Sequence, residues 1–298
     1  MNLVKSYPNL TVIFACFFWG TYWIPLRYID SSGENSVWPL CLSFILLSAI
    51  LFKPLLQSAK ILLFEKNFFF ILGCFFSGLG ITLYSESLLR GEIAKVVVLF
   101  YLCPIWGTIF ARIILKHKFN FGRVLSIILG LIGLEIIVGI DKGIIIPETI
   151  AEWIAIFAGI TWALSTVFFH VAKSTNSYQK TSLTSFFIFI IFLILCFFPD
   201  GRSITITSNL FSSSLIYIWV ILFCLIWLLP SILLTFFSIE ILDPGRINIL
   251  LAFEVVIGFL SAFLLTNEII EISHILGAIF VISACFVDVF YNKIRKKL

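Results

Sequence analysis

Residues 95–117, KVVVLFYLCPIWGTIFARIILKH, align without a gap with residues 246–268, RINILLAFEVVIGFLSAFLLTNE. Each stretch is close to the roughly twenty apolar residues that cross the hydrocarbon core of a bilayer. Three pairs of positions mark the alignment: Lys95 with Arg246, Cys103-Pro104 with Glu254-Val255, and His117 with Glu268. The alignment predicts two equivalent membrane spans, one in each half of the chain.

The composition of the whole chain is that of a membrane protein. Of its 298 residues, 61% are hydrophobic and 12% are charged, and the mean hydropathy is +1.13. A soluble domain is about half apolar and a quarter charged. The formal net charge of +4 gives no indication of nucleic-acid binding. The seven cysteines lie in apolar runs without a C-x-x-C pair, so we expect small packing residues.

Apolar runs near the spanning length occur ten times, which predicts an all-α integral membrane protein with ten transmembrane helices. The runs cover residues 9–27, 37–55, 67–89, 94–115, 122–140, 150–172, 181–198, 214–239, 246–266 and 272–291. With the N-terminus inside, fifteen of the twenty lysines and arginines, including Lys180, fall on the cytoplasmic side. The positive-inside rule therefore predicts that both termini are cytoplasmic and that the first run is a retained span.

Two further pairs of segments repeat in the same order as the opening pair. FWGTYW at residues 18–23 matches TWALST at 161–166 through a tryptophan, and GLI at 130–132 matches GAI at 277–279. Three matches in one order indicate a duplication, although each alone is weak. Five spans in each half is an odd number, so the second half enters the membrane from the opposite side. We predict two inverted five-helix repeats, residues 1–143 and 144–298, which is a transporter architecture.

The same segments resemble EamA-type members of the drug/metabolite transporter superfamily. The resemblance is carried by FWGTYWIP at 18–25, LFYLCPIW at 99–106, TWAL at 161–164, PGR at 244–246 and FEVV at 253–256. It implies ten helices in two inverted repeats and a central cavity lined mainly by spans 1, 3, 4, 6, 8 and 9. It also implies transport of amino acids, other small metabolites, amines or drugs.

Two positions depart from the pattern of this family. Lys116-His117 stands where the family often has Gly-Glu, which puts a cytoplasmic contact of the family in doubt. Val255 follows Glu254 where the family often has proline. Because proline breaks a helical hydrogen bond, its absence predicts that the ninth span lacks a kink.

Ionisable groups inside a membrane are costly, so they are the first candidates for a binding site. Glu254 shares one helix face with Gly258 and Ser261, a narrow polar stripe that is expected to face protein. We expect Glu254 to bind a substrate amine or to exchange a proton; a structural carboxylate is the alternative. Glu86 is a second candidate, with a surface ion pair to Arg90 as the alternative.

Aromatic side chains on the predicted cavity helices are the candidate walls of the site. They are Trp19, Trp23, Tyr84, Tyr101, Trp106 and Trp162. Aromatic rings beside a carboxylate suit an ammonium group through cation–π attraction, and packing between helices is the alternative for each ring. Lys95 and Arg246 are equivalent in the repeat and are predicted to be matched gate or helix-start charges, with headgroup anchoring as the alternative.

The sequence thus predicts a secondary-active transporter, not an enzyme, as a multi-pass protein of a bacterial inner membrane. Its substrate is expected to be a small cationic or zwitterionic metabolite, an amino acid or an amine, moved by alternating access. The alternatives are a drug/metabolite effluxer of broader specificity and, less favoured, an intramembrane enzyme acting on a lipid-linked substrate. We expect no cofactor, no metal and no nucleic acid, a proton or sodium ion as coupling ion, and a monomer or homodimer in the lipid bilayer.

Overall fold

The structure, a computed structural model, describes residues 7–32, 37–65, 67–117, 121–138, 147–172, 175–195, 214–265 and 272–295, whose regular elements are all helices. The first half contains α1 (Pro8–Gly20), α2 (Trp23–Ser32), α3 (Trp38–Ile50), α4 (Phe52–Lys60, continued by the π-helix Ile61–Glu65), α5 (Phe68–Arg90), α6 (Ile93–Phe100), α7 (Cys103–Ile114) and α8 (Phe121–Val138). The second half contains α9 (Ile150–Val171), α10 (Ser177–Leu195), α11 (Ser214–Leu222, continued by the π-helix Phe223–Leu228), α12 (Leu229–Ile239), α13 (Pro244–Leu251), α14 (Phe253–Leu265) and α15 (Ile272–Arg295).

All ten predicted apolar runs contain helix, but fewer helices meet a test of spanning length and hydropathy. Seven helical stretches of the described residues are long and apolar enough to cross a membrane. An eighth is added if α3 and the helix after it, bent by 80°, form one span. The chain is therefore a multi-pass helical protein, and the count of ten spans stays a prediction.

Proline explains two of the interruptions within spans. Pro104 has no N–H for the carbonyl of Phe100, and α6 ends at Phe100 before α7 begins at Cys103. Pro54 likewise leaves Ile50, the last residue of α3, without its helical partner. In the second span the chain therefore turns sharply within the predicted run 37–55.

The ninth span is also interrupted, between α13 and α14, although no proline lies within four residues of the interruption. The Val255 N–H donates to Ala252 O at 3.1 Å, three residues back instead of the four of an α-helix. An interruption therefore occurs here without proline, while the prediction of an unkinked ninth span stays a prediction. In the opening alignment Ala252 falls on Tyr101, which lies in the interruption between α6 and α7, so both halves break at the same position.

Several helix contacts correspond when the two halves are exchanged. The helices α5 and α9 pack together, and their equivalents α12 and α1 do the same. The pairs α7–α9 and α14–α1 correspond in the same way. Equivalent spans also meet each other, through the pairs α3–α10, α7–α13 and α8–α15. This pattern fits a two-repeat architecture; the predicted boundary between residues 143 and 144 and the Glu268 end of the alignment lie outside the described residues.

Glycines let the central helices approach closely around one space. A Cβ added at Gly20 would lie 2.7 Å from the backbone oxygen of Glu254, where α1 meets α14. One added at Gly80 would lie 3.1 Å from the backbone nitrogen of Trp162, where α5 meets α9. The third span thus makes a close helix contact at Gly80, which brings Trp162 beside it.

Candidate functional site

A cavity lies between the two halves of the chain, at the level of the interruptions in the fourth and ninth spans. About 320 Å³ of space between its residues is not filled by atoms, a volume that includes open solvent. Its lining consists of Trp19, Gly80, Ile81, Tyr84, Phe100, Tyr101, Trp162, Leu251 and Glu254. The gaps between its rings are narrow, so a solute requires side chains or helices to move apart.

Glu254 is the charged residue of this lining. It lies in the first turn of α14 and is 4% exposed. The hydroxyl of Tyr84 donates to Glu254 Oε1 at 2.9 Å, and that of Tyr101 donates to Oε2 at 2.5 Å. The start of a helix also favours negative charge. The carboxylate is therefore held by two hydroxyls and a helix terminus, and not by a basic side chain of the lining.

Side chains stabilise the interruption of the ninth span. The Tyr101 hydroxyl also lies 2.8 Å from Leu251 O, the last carbonyl of α13. The thiol of Cys16 lies 3.5 Å from Leu250 O and 3.7 Å from Leu251 O. The two partners take the place of backbone donors that a continuous helix would supply. Cys16 thus does more than the packing expected of it; Cys196 lies outside the described residues.

Two tryptophans form the aromatic walls of the cavity. The centroids of the Trp19 and Trp162 rings lie 6.2 Å apart in an edge arrangement. The Trp19 indole donates to Thr235 Oγ1 at 3.1 Å. The Trp162 Nε1 is buried and has no hydrogen-bond partner among the described residues. Trp162 therefore brings an unused hydrogen-bond donor to the wall of the site.

Five of the eight predicted binding residues line the cavity, and three lie elsewhere. The Trp23 indole donates to Ser261 Oγ at 3.1 Å, which joins the first span to the ninth. Trp106 lies on α7 outside the cavity lining. Glu86 is buried but pairs with Arg90 at 2.9 Å, the i,i+4 ion pair given as its alternative. These three therefore lie outside the cavity lining, and a binding role for them stays a prediction.

Lys95 and Arg246 lie in the first turns of the equivalent helices α6 and α13, outside the cavity lining. Lys95 Nζ lies 3.9 Å from Glu92 Oε2 and 4.0 Å from Glu152 Oε1. The backbone N–H of Arg246 donates to Asp243 Oδ1 at 3.4 Å. Both positions are helix starts, and a gate role stays a prediction.

Sequence reasoning counted Lys180 only as a cytoplasmic charge, but the structure buries it. Its side chain is 1% exposed, and its Nζ lies 3.6 Å from Glu240 Oε1. The same ammonium lies 5.7 Å from the centroid of the Phe169 ring. The Ser177 hydroxyl bonds to Glu240 Oε1 at 2.5 Å. This pair joins the start of α10 to the end of α12.

A second charged group at the same end of the bundle surrounds Asp243, which caps α13. Asp243 Oδ1 accepts from the Gly245 N–H at 3.0 Å and contacts Arg123 Nη1 at 2.5 Å. His117 Nδ1 lies 2.9 Å from Asp243 Oδ2. Burial raises the pKa of Asp243, but the charges of Arg123 and His117 outweigh it and hold that pKa below its ordinary value. These contacts join His117, which follows α7, and Arg123, which lies on α8, to the start of the ninth span.

Comparison with known proteins assigns the chain to a family. The model of the EamA-like transporter family matches residues 7–139 and 149–289, one match in each half. A solved structure titled "Crystal structure of protein" is similar with a TM-score of 0.67 and 14% sequence identity, over 95% of this chain and 96% of that chain, which supports the fold alone. Among curated proteins, none matches the sequence. Because the two family matches cover most of its length, the chain belongs to the EamA-like transporter family, whose members are membrane transporters of the drug/metabolite transporter superfamily.

Proposed function

We propose that the protein is a secondary-active carrier of a small cationic or zwitterionic metabolite, an amino acid or an amine. The solute binds in the cavity between the two halves, and alternating access exposes that cavity to each side of a bacterial inner membrane in turn. Both termini are cytoplasmic in this proposal, and a proton or a sodium ion couples the movement. The carrier works as a monomer or a homodimer.

The observation that carries the proposal is the environment of Glu254. Among the described residues that line the cavity, it alone bears a charge. Burying a carboxylate without a cation is costly, and a solute ammonium group supplies the missing partner. The two tyrosine hydroxyls hold both carboxylate oxygens in place, so the acceptor is organised before the solute arrives.

The remaining walls suit the rest of such a solute. Trp19 and Trp162 offer ring faces and edges to an ammonium or its apolar neighbours. The unpartnered Trp162 Nε1 can donate to a carbonyl or carboxylate oxygen. A site with one anionic acceptor and one separate neutral donor favours a zwitterion or an amine over an anion.

The packing of the two halves supports alternating access. Equivalent spans contact each other in three pairs, and several other contacts correspond when the halves are exchanged. Exchanging the roles of the two halves would therefore keep several of these helix contacts. Repeats of this kind, rocking about a central site, are the usual architecture of secondary carriers.

Thermal unfolding of the purified protein in detergent, with a panel of solutes, tests the assignment of the site. Each amino acid, polyamine and choline-like amine is paired with an uncharged or anionic analogue of similar size. At a concentration a hundredfold above Kd, a ligand stabilises by about 2.7 kcal/mol, so at least one amine or amino acid should raise Tm by several degrees. Stabilisation by anions or sugars, with none by amines or amino acids, would overturn the assignment.

A further inference from the structure

Tyr101 has one hydroxyl proton and two acceptors within hydrogen-bond distance. Its oxygen lies 2.5 Å from Glu254 Oε2 and 2.8 Å from Leu251 O. A phenol donates a single hydrogen bond. The proton therefore goes to the carboxylate or to the backbone carbonyl. A hydrogen bond from Tyr101 to one of these acceptors excludes a hydrogen bond to the other.

Because of the position of Tyr101, the acceptor to which it donates affects the backbone of the ninth span. Tyr101 lies in the interruption of the fourth span, and Leu251 closes α13 at the equivalent interruption of the ninth. In a continuous α-helix Leu251 O would accept the Val255 N–H, but that N–H donates to Ala252 O. The hydroxyl at one interruption thus caps a carbonyl at the other.

We propose that Tyr101 is a positioning residue that transmits the state of Glu254 to the interruption between α13 and α14. The inference rests on the proposed function, since it takes Glu254 as the group that a solute or a proton engages. When the carboxylate is ionised and empty, Tyr101 donates to it, because a charged acceptor forms the stronger bond. When a proton or an ammonium occupies the carboxylate, Tyr101 donates to Leu251 O.

The two states differ in which side chains donate to Leu251 O and so stabilise the interruption. With Tyr101 turned to Glu254, Leu251 O keeps only the weak thiol donor Cys16, at 3.7 Å. The carbonyl is then available to the Val255 N–H, and α13 and α14 can join into a straighter helix. With Tyr101 turned to Leu251 O, the interruption is capped. Solute or proton binding thereby selects the interrupted form of the ninth span.

Tyr84 provides a matched control within the same site. Its hydroxyl donates to the other carboxylate oxygen, Glu254 Oε1, from α5, which takes no part in the interruption. Replacing Tyr84 with phenylalanine weakens the hold on Glu254 but leaves the cap on Leu251. The other ionisable side chains that interact electrostatically with Glu254 are Cys16 and Tyr22 from the first span and Cys103 from α7.

Hydrogen exchange of the backbone amides of residues 252–256, read by mass spectrometry, tests the proposal without a known solute. In Glu254→Gln the neutral amide donates to Tyr101 and turns its hydroxyl to Leu251 O, which mimics the occupied site. We expect these amides to exchange at least about threefold faster in Glu254→Gln than in the wild type. The difference should persist in a Tyr84→Phe background and vanish in a Tyr101→Phe background.

Two further measurements separate this role from a merely structural one. With a transported solute, both Tyr84→Phe and Tyr101→Phe should raise KM, but only Tyr101→Phe should also lower kcat. If Tyr101→Phe does not fold, Cys16→Ala serves instead: it removes the competing donor to Leu251 O, and it should enlarge the effect of Glu254→Gln on exchange. Equal effects of Glu254→Gln in all backgrounds, or no effect in any, would overturn the inference. Because the exchange experiment needs no solute, its failure is distinguishable from the absence of amine binding.

Discussion

Transport falls at least about thirtyfold when Glu254 is replaced by glutamine. The substitution keeps the size of the side chain and removes the only charge in the described lining of the cavity. Losing one partner of a buried charge pair costs about 2–5 kcal/mol, and each 1.4 kcal/mol is a factor of ten. Initial uptake or efflux of the solute found by thermal unfolding, in proteoliposomes of matched protein content, measures the loss.

Glu135→Gln is the matched control for this experiment. It makes the same chemical change on α8, which lies away from the cavity lining, so transport should stay within about twofold of the wild type. Glu254→Asp keeps the charge but withdraws it by one methylene, and should retain part of the activity. Wild-type transport by Glu254→Gln would contradict the assignment of this carboxylate.

The second large effect is on stability and concerns the buried pair of Lys180 and Glu240. Glu240→Gln leaves an ammonium that is 1% exposed without a carboxylate partner. Breaking a buried pair in this way costs about 3–5 kcal/mol, whereas replacing both charges by neutral groups is often tolerated. We therefore expect Glu240→Gln to be strongly destabilising and the double variant Lys180→Met/Glu240→Gln to recover more than half of the loss.

Unfolding by increasing SDS in mixed micelles gives these free energies as a double-mutant cycle. Lys180→Met alone should fall between the other two variants, because Glu240 is 26% exposed and keeps the Ser177 hydroxyl. A cycle with no coupling between the two positions, so that their effects simply add, would show that the pair does not stabilise the junction of α10 and α12.

Features that depend on local sequence could be predicted. Apolar runs located the helices, and the resemblance to EamA-type transporters implied that Glu254 and the aromatic rings of the first, fourth and sixth spans lie near one another. Pro104 predicts the interruption of the fourth span, because a proline has no N–H and so removes a helical hydrogen bond within one turn. The local sequence does not predict the interruption at Ala252, because the groups that cap it, Tyr101 and Cys16, lie 150 and 235 residues away from Leu251.

Lys180 shows a second limit of sequence reasoning. The predicted seventh span began at residue 181, so a lysine just before it was assigned to the cytoplasmic surface. The helix begins at Ser177, which carries Lys180 into the bundle opposite Glu240. The polar segment of residues 177–185 faces other helices and not water, and sequence alone does not show that distant partners satisfy it. Trp23, Trp106 and Glu86 lie outside the cavity lining for a similar reason, since the face that each presents depends on packing.

Counterflow in sealed proteoliposomes tests most directly whether this cavity carries a cationic solute across the bilayer. The labelled amine is placed outside, and the vesicles contain either the same unlabelled amine or its N-acetyl derivative, which lacks the positive charge. The account predicts transient accumulation of label driven by the internal amine, none driven by the N-acetyl derivative, and none in Glu254→Gln vesicles. Equal accumulation with both internal solutes, or label entry in wild-type vesicles that does not depend on an internal solute, would contradict it.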